Sequence, residues 1–98
     1  MHLGPLVTKT SYKDELAAQR GSALRGGELL ATSGGAATAT IRDGLDSDGR
    51  ILYTFVAAVS AYDRQVFPEP LPAHEGLYVD HGSNVGHFIL YYHLSLED

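Results

Sequence analysis

The densest run of carboxylates in this 98-residue sequence is Asp43-Gly-Leu-Asp46-Ser-Asp48-Gly49. Closely spaced acids invite a calcium reading, because Ca²⁺ takes hard oxygen ligands from a tight loop. An EF-hand loop needs acids at its first, third and fifth positions, Gly at the sixth and Glu at the twelfth. Anchoring Asp46, Asp48 and Gly49 on the third, fifth and sixth positions puts Gly44 first and Phe55 twelfth. The template fails at two ligands, and the run reads instead as a solvated turn. Its two Asp-Gly pairs supply the positive φ that a chain reversal needs.

The histidines are His2, His74, His81, His87 and His93. His81 and His87 flank a turn and are expected to face each other across a β-ladder. A stable metal site wants a third protein ligand, which His74 or Asp80 would have to supply. Surface histidines are the plainer reading. A pair of catalytic carboxylates would be sought among Glu69, Glu75 and Asp80, and no spacing joins them. No Ser-His-Asp order and no phosphate-cradling glycine loop is present. Tyr78, Tyr91 and Tyr92 could stack on a sugar, although strand tyrosines usually pack across a ladder. The expectation is therefore a non-enzymatic chain with no catalytic, cofactor-binding or metal-ligating residues and no cofactor.

Composition narrows the partners. Net charge is −5 with seven basic residues and no Lys/Arg cluster. Phosphate neutralisation has nothing to work with, so nucleic acid is not an expected partner. Cysteine is absent, which excludes disulfides, thiol catalysis and Cys-based zinc sites. No apolar run approaches 18 residues, so no helical membrane span is expected. The start of the chain lacks a basic segment followed by an apolar one, and no secretory signal is expected.

Periodicity assigns the elements that would hold these residues. Ala37, Ala39 and Ile41 alternate with Thr38, Thr40 and Arg42, the mark of a half-buried strand. Residues 50–59 are apolar on both faces, which predicts a central strand covered on both sides or lying under a partner subunit. In 22–33, Gly26-Gly27 interrupts a strand as a bulge or a turn, with Leu29, Leu30 and Ala31 entering the core. Residues 62–68 form a shorter strand. Pro68, Pro70 and Pro72 then predict an extended connection outside any ladder, crossing between two sheets. The stretch 76–94 reads as the central hairpin, two strands joined by the loop 82–86. Leu77 and Val79 share one face of its first strand. Phe88, Leu90, Tyr92 and Leu94 share one face of the second. The tail from 95 to 98 is acidic and expected to be exposed.

Six or so strands at regular spacing, with 11 glycines and no helix in the core region, make the fold class all-β. The expected architecture is an antiparallel β-sandwich or jelly-roll-like barrel with an extended N-terminal arm. Residues 1–21 form that arm and residues 22–98 the sandwich domain. Ser11 and Asp14 resemble a capping box, which predicts a short helix from Lys13 to Gln19 ending at Gly21. Leu3, Leu6 and Val7 give the arm something to dock with.

The ordered series Ala37-Thr-Ala-Thr-Ile-Arg-Asp-Gly44, Gly49-Arg-Ile-Leu52, Gly76-Leu-Tyr-Val-Asp80 and Phe88 to Tyr92 resembles a pattern in small structural proteins of tailed bacteriophages. The resemblance covers about residues 36–92. It implies a virion component assembled in the host cytoplasm: a capsid decoration (cement) protein, or a neck or tail subunit. Such a chain would associate with itself as a homo-oligomer and with virion proteins such as the major capsid protein. No nucleic acid, membrane or catalytic residue is implied. A small glycan-binding sandwich is the alternative.

Overall fold

The computed structural model describes residues 2–19 and 21–96. Eight strands follow in order: β1 (His2–Ser11), β2 (Glu15–Gln19), β3 (Ser22–Ala31), β4 (Ala37–Asp43), β5 (Arg50–Ala57), β6 (Tyr62–Ala73), β7 (Gly76–His81) and β8 (Val85–Leu96). Four nested antiparallel pairs, β1 with β8, β2 with β7, β3 with β6 and β4 with β5, make the chain one long hairpin. Its apex is the acidic turn at 44–49. Two further pairings, β3 with β8 and β4 with β7, wrap that hairpin into two four-stranded sheets. Sheet I runs β1-β8-β3-β6 and sheet II runs β2-β7-β4-β5. The all-β expectation holds. This is the strand order of an eight-stranded jelly roll, built as an open sandwich and not closed into a barrel.

The alternation along each strand decides what lies between the sheets. Leu24, Leu29, Phe88 and Leu90 from sheet I meet Ile41, Phe55, Leu77 and Val79 from sheet II, and all are fully buried. Each such side chain contributes roughly 1.5–3 kcal/mol by leaving water. Ala37, Ala39 and Ala57 let the sheets close around Phe55 and Phe88, whose ring centroids stand 5.1 Å apart.

The N-terminal residues are extended, as expected, but they are woven into the sheets. β1 pairs along β8 from His2 to Ser11, and β2 pairs with β7. The helix expected over residues 13–19 gives way to a bend at Lys13 and Asp14 followed by a strand. Both residues of the supposed capping box are recruited by β7 instead. Asp14 Oδ1 accepts the His81 backbone N–H at 2.6 Å, and the buried Ser11 hydroxyl lies 3.1 Å from His81 Nε2. Met1 and residue 20 of the expected arm lie outside the described residues. So do Glu97 and Asp98 of the expected tail, whose first two residues belong to β8.

The stretch 76–94 is not a hairpin. β7 belongs to sheet II and β8 to sheet I, and the turn between them crosses the sandwich. Its hydrogen bonds show why. Gly82 N–H donates to Thr38 O in β4, while Asn84 O accepts from Thr32 N–H just after β3. The apolar faces of the two strands thus oppose each other across the core, where a hairpin would have put both in one sheet.

β5 is an edge strand, not a central one. Phe55 and Ala57 point inward, whereas Val56 is 58% exposed. A register shift opposite Ile41 and Arg42 lets Leu52 and Tyr53 both lean on the core and turns Ile51 out.

The proline-bearing stretch also differs from expectation. It stays in sheet I as the far half of edge strand β6, a position that tolerates a missing N–H. Leu24 pairs with Leu71 and Gly26 with Val66, so Arg25 alone faces the excursion at 67–70. β3 is therefore one bulged strand, and Leu30 is only half-buried while Leu29 and Ala31 are buried.

Gly26 makes that bulge possible. Its φ is +156°, and a Cβ there would collide with the Gln65 carbonyl oxygen. Gly26→Ala is expected to destabilise by about 3 kcal/mol or more, the upper end for overpacking against backbone. Urea unfolding followed by far-UV circular dichroism measures it, and a loss under about 1 kcal/mol would contradict the bulge geometry.

Candidate functional site

Two concave surfaces stand out among the described residues. The first is an open cleft of about 550 Å³ at the apex turn, lined by Leu45, Asp46, Asp48, His74, Glu75 and the two flanking glycines. Of its carboxylates Asp46 helps to hold the turn, together with Asp43 beneath the cleft. Asp43, 7% exposed, accepts the Glu75 N–H at 2.8 Å and the Arg50 guanidinium at 3.3 Å. Asp46 Oδ1 accepts the Asp48 N–H at 2.9 Å, and Asp46 O accepts the Gly49 N–H. This is the solvated turn expected from the sequence. Among the described residues no group of three or more His, Asp or Glu side chains is placed to share a metal ion.

The second is a groove of about 280 Å³ on the outer face of sheet I, lined by Leu6, Thr8, Arg25, Arg64, Val66 and Tyr91. Four strands contribute to it. Arg25 is held by its neighbours: Nε donates to His93 Nε2 at 3.0 Å, and Nη1 donates to the carbonyls of Phe67 and Pro68. Those carbonyls are free to accept because the excursion at 67–70 takes them out of the ladder. His93 must then carry its proton on Nδ1, which donates to Gly4 O at 3.1 Å. Arg64 lies over the Tyr91 ring, 5.9 Å from its centroid. Hydrogen bonding to the Tyr91 hydroxyl, with its charge, pushes the Arg64 pKa further up.

The residues singled out in the sequence scatter. His81 and His87 sit in different sheets and cannot bridge a ladder. His81 packs its ring near Phe88, and His87 Nε2 lies 3.5 Å from Glu28 Oε2, too long for a good hydrogen bond. The side chain of His2 is outside what is described. Asp80 pairs with Arg42 at 3.2 Å, Glu75 lines the apex cleft, and Glu69 is exposed on the β6 excursion. Tyr92 is 7% exposed and structural. Tyr78 is half-buried on sheet II, where burial first and then the charges of Asp14, Asp80 and Asp46 push its hydroxyl pKa up. Tyr91 alone among the three tyrosines lines a groove.

One contact escaped sequence reasoning. Ser11 Oγ, His81 Nε2 and Glu15 Oε2 come together, with Ser11 within 3.2 Å of both partners. A serine beside a histidine suggests a nucleophile and its base. Ser11 is fully buried, however, and Glu15 touches the serine and not the far nitrogen of the ring. The cluster ties the corner between β1 and β2 to β7. Comparison with known proteins finds no matching family model, no matching curated protein and no matching solved structure.

Proposed function

We propose that this chain is a non-enzymatic structural subunit that works by association, and specifically a virion protein of a tailed phage. The role that suits it best is capsid decoration (cement), in which copies bind one another and the major capsid protein. A neck or tail subunit is the neighbouring possibility within the same class. One observation carries the reading. Of nine exposed large apolar residues among those described, five (Ile51, Val56, Val59, Tyr62 and Val66) fall on β5, β6 and the turn between them. Concentrated apolar exposure is what an association surface requires. The backbone of β5 is partly closed to strand addition, because Asp63 Oδ2 accepts the Val56 N–H at 3.1 Å. Contact there works through side chains. Jelly rolls are used by viral capsid domains and also by lectins, a support by analogy of fold alone.

The solution mass of the full chain tests the reading. A species heavier than the 10.5 kDa monomer is expected. Val56→Asp with Val59→Asp should weaken association about 30-fold or more, the effect of losing a 2 kcal/mol hot spot. Both positions are exposed, so the fold should persist. A strictly monomeric chain that also fails to bind capsids would sink the proposal.

A second reading rests on a different observation. Tyr91 stands beside Thr8, Arg25 and Arg64 in the sheet I groove, an aromatic next to polar groups as a glycan site requires. A glycan array with no hits removes it.

A further inference from the structure

We propose that the groove on the outer face of sheet I receives the acidic apex turn of a second copy of this chain, so that copies associate head to tail. The inference rests on the association reading above and names the contact that would carry it.

The groove has apolar walls and a cationic interior. Leu6 and Val66 are 55% and 52% exposed along its sides, and no carboxylate lines it among the described residues. Glu28 stands opposite Arg64 in the ladder, but its Oε2 is turned toward His87. One guanidinium is tied in place and the other rests on a ring. Arg25 is fixed by His93 and two backbone carbonyls, and the exposed Arg64 lies over the Tyr91 ring at 5.9 Å. A cation held as Arg25 is surrenders little freedom when an anion arrives. The volume, about 280 Å³, lies just below the ~300–1,000 Å³ of ordinary small-molecule pockets. It suits one or two protruding side chains.

The apex turn is built as the complement. Leu45 is 61% exposed, with Asp46 and Asp48 exposed on either side of Ser47. The turn is held in shape by Asp43 beneath it and by the Asp46 carboxylate on the Asp48 N–H. An exposed Leu45 followed by two exposed carboxylates thus matches an apolar groove with guanidiniums inside it. The apex belongs to the β4–β5 hairpin of sheet II, while the groove faces outward from sheet I. A copy therefore cannot fill its own groove. Apex and groove are different surfaces, so the contact is heterologous and propagates into rings or filaments.

Sedimentation velocity on the full chain, across concentration and salt, tests this. Wild type should associate with increasing concentration, less so as salt screens the charges. Arg64→Glu spoils the groove and leaves the apex. Asp48→Arg spoils the apex and leaves the groove. Each alone should associate at least about tenfold more weakly. Mixed together they should associate again, because the intact apex of one meets the intact groove of the other and the two reversed charges also attract each other. Circular dichroism checks that both variants fold. Association unchanged by Arg64→Glu but lost in Val56→Asp/Val59→Asp would overturn the docking and leave the association reading standing. Loss of both association and capsid binding in the wild type would overturn both. Binding of an acidic oligosaccharide that Arg64→Glu abolishes, with no self-association, would assign the groove to a glycan and also overturn the docking.

Discussion

Replacing Phe55 with alanine is expected to lower the unfolding free energy by about 3–5 kcal/mol. That is a large share of the ~5–15 kcal/mol a domain of this size has in total. Phe55 is fully buried and stands at the middle of an aromatic row that crosses the sandwich. Tyr53 lies 4.8 Å from it and Phe88 5.1 Å, both edge to face, and Tyr53 continues to Phe67 at 5.0 Å. Truncation removes the apolar burial of the ring and two aromatic pairs worth ~0.5–1.5 kcal/mol each. It also leaves a cavity that the facing strands cannot close, since Gly27 already brings backbone against both the Phe55 and Phe88 rings. Urea denaturation gives the number directly. Phe55→Leu, which keeps most of the apolar volume, should recover more than half of the loss. A loss under about 1 kcal/mol for Phe55→Ala would mean that the two sheets are not packed around this ring.

The parts of the fold legible in the sequence are those governed by neighbours along the chain. Ala37, Ala39 and Ile41 alternate with polar residues and are all fully buried. The same alternation grouped Leu77 with Val79, and Phe88 with Leu90, Tyr92 and Leu94; all of these are buried except Leu94, which is exposed. The Asp-Gly pairs announced the apex turn. What failed was pairing. A glycine-rich loop between two strands signals a reversal, but it does not say whether the second strand returns to the same sheet. At 82–86 the decision is made by Thr38 and Thr32, which bond the two ends of the loop to different sheets. Likewise, Ser11 and Asp14 have a helix-capping spacing, yet His81, distant in sequence, recruits both.

The groove was illegible for the same reason. Leu6, Arg25, Val66 and Tyr91 come from four strands and become neighbours only through register. The one local hint was that each alternates with an inward-facing neighbour. Gly26-Gly27 hinted at a bulge, but only the pairing of Leu24 with Leu71 shows that it throws Arg25 against the carbonyls of 67 and 68. Net charge misled in a different way. An overall value of −5 does not say where single cations stand, and some of them are paired, as Arg42 is with Asp80 and Arg50 with Asp43. Asp14, Asp46 and Asp80 surround Tyr78 on sheet II, while Arg25 and Arg64 gather on sheet I. A chain can thus be acidic overall and still present a cationic groove.

Asp43 joins the apex turn to the rest of the fold, and its removal should be felt as pH-dependent instability. Burial, the largest single influence, pushes its pKa up. The N–H groups of Glu75, His74 and Gly76 and the Arg50 guanidinium together outweigh it, and the carboxyl is held below the ordinary value of 3.8. In the unfolded chain these donors are gone, so the folded protein holds the proton less tightly than the unfolded one. The carboxylate therefore contributes its full stability above about pH 4 and loses it as pH falls through the folded value. Asp43→Ala strands the donor at Glu75 and is expected to cost about 2–3 kcal/mol near pH 7. Asp43→Asn keeps one acceptor and should cost less. The comparison with asparagine isolates the charge. The gap between wild type and Asp43→Asn should be constant from pH 7 to about 5 and shrink below about pH 4, as the wild type takes up its proton. Chemical denaturation at a series of pH values follows that gap. A gap that stays the same down to pH 2.5 would show that Asp43 holds the apex by shape alone and that its charge is not what the turn is built around.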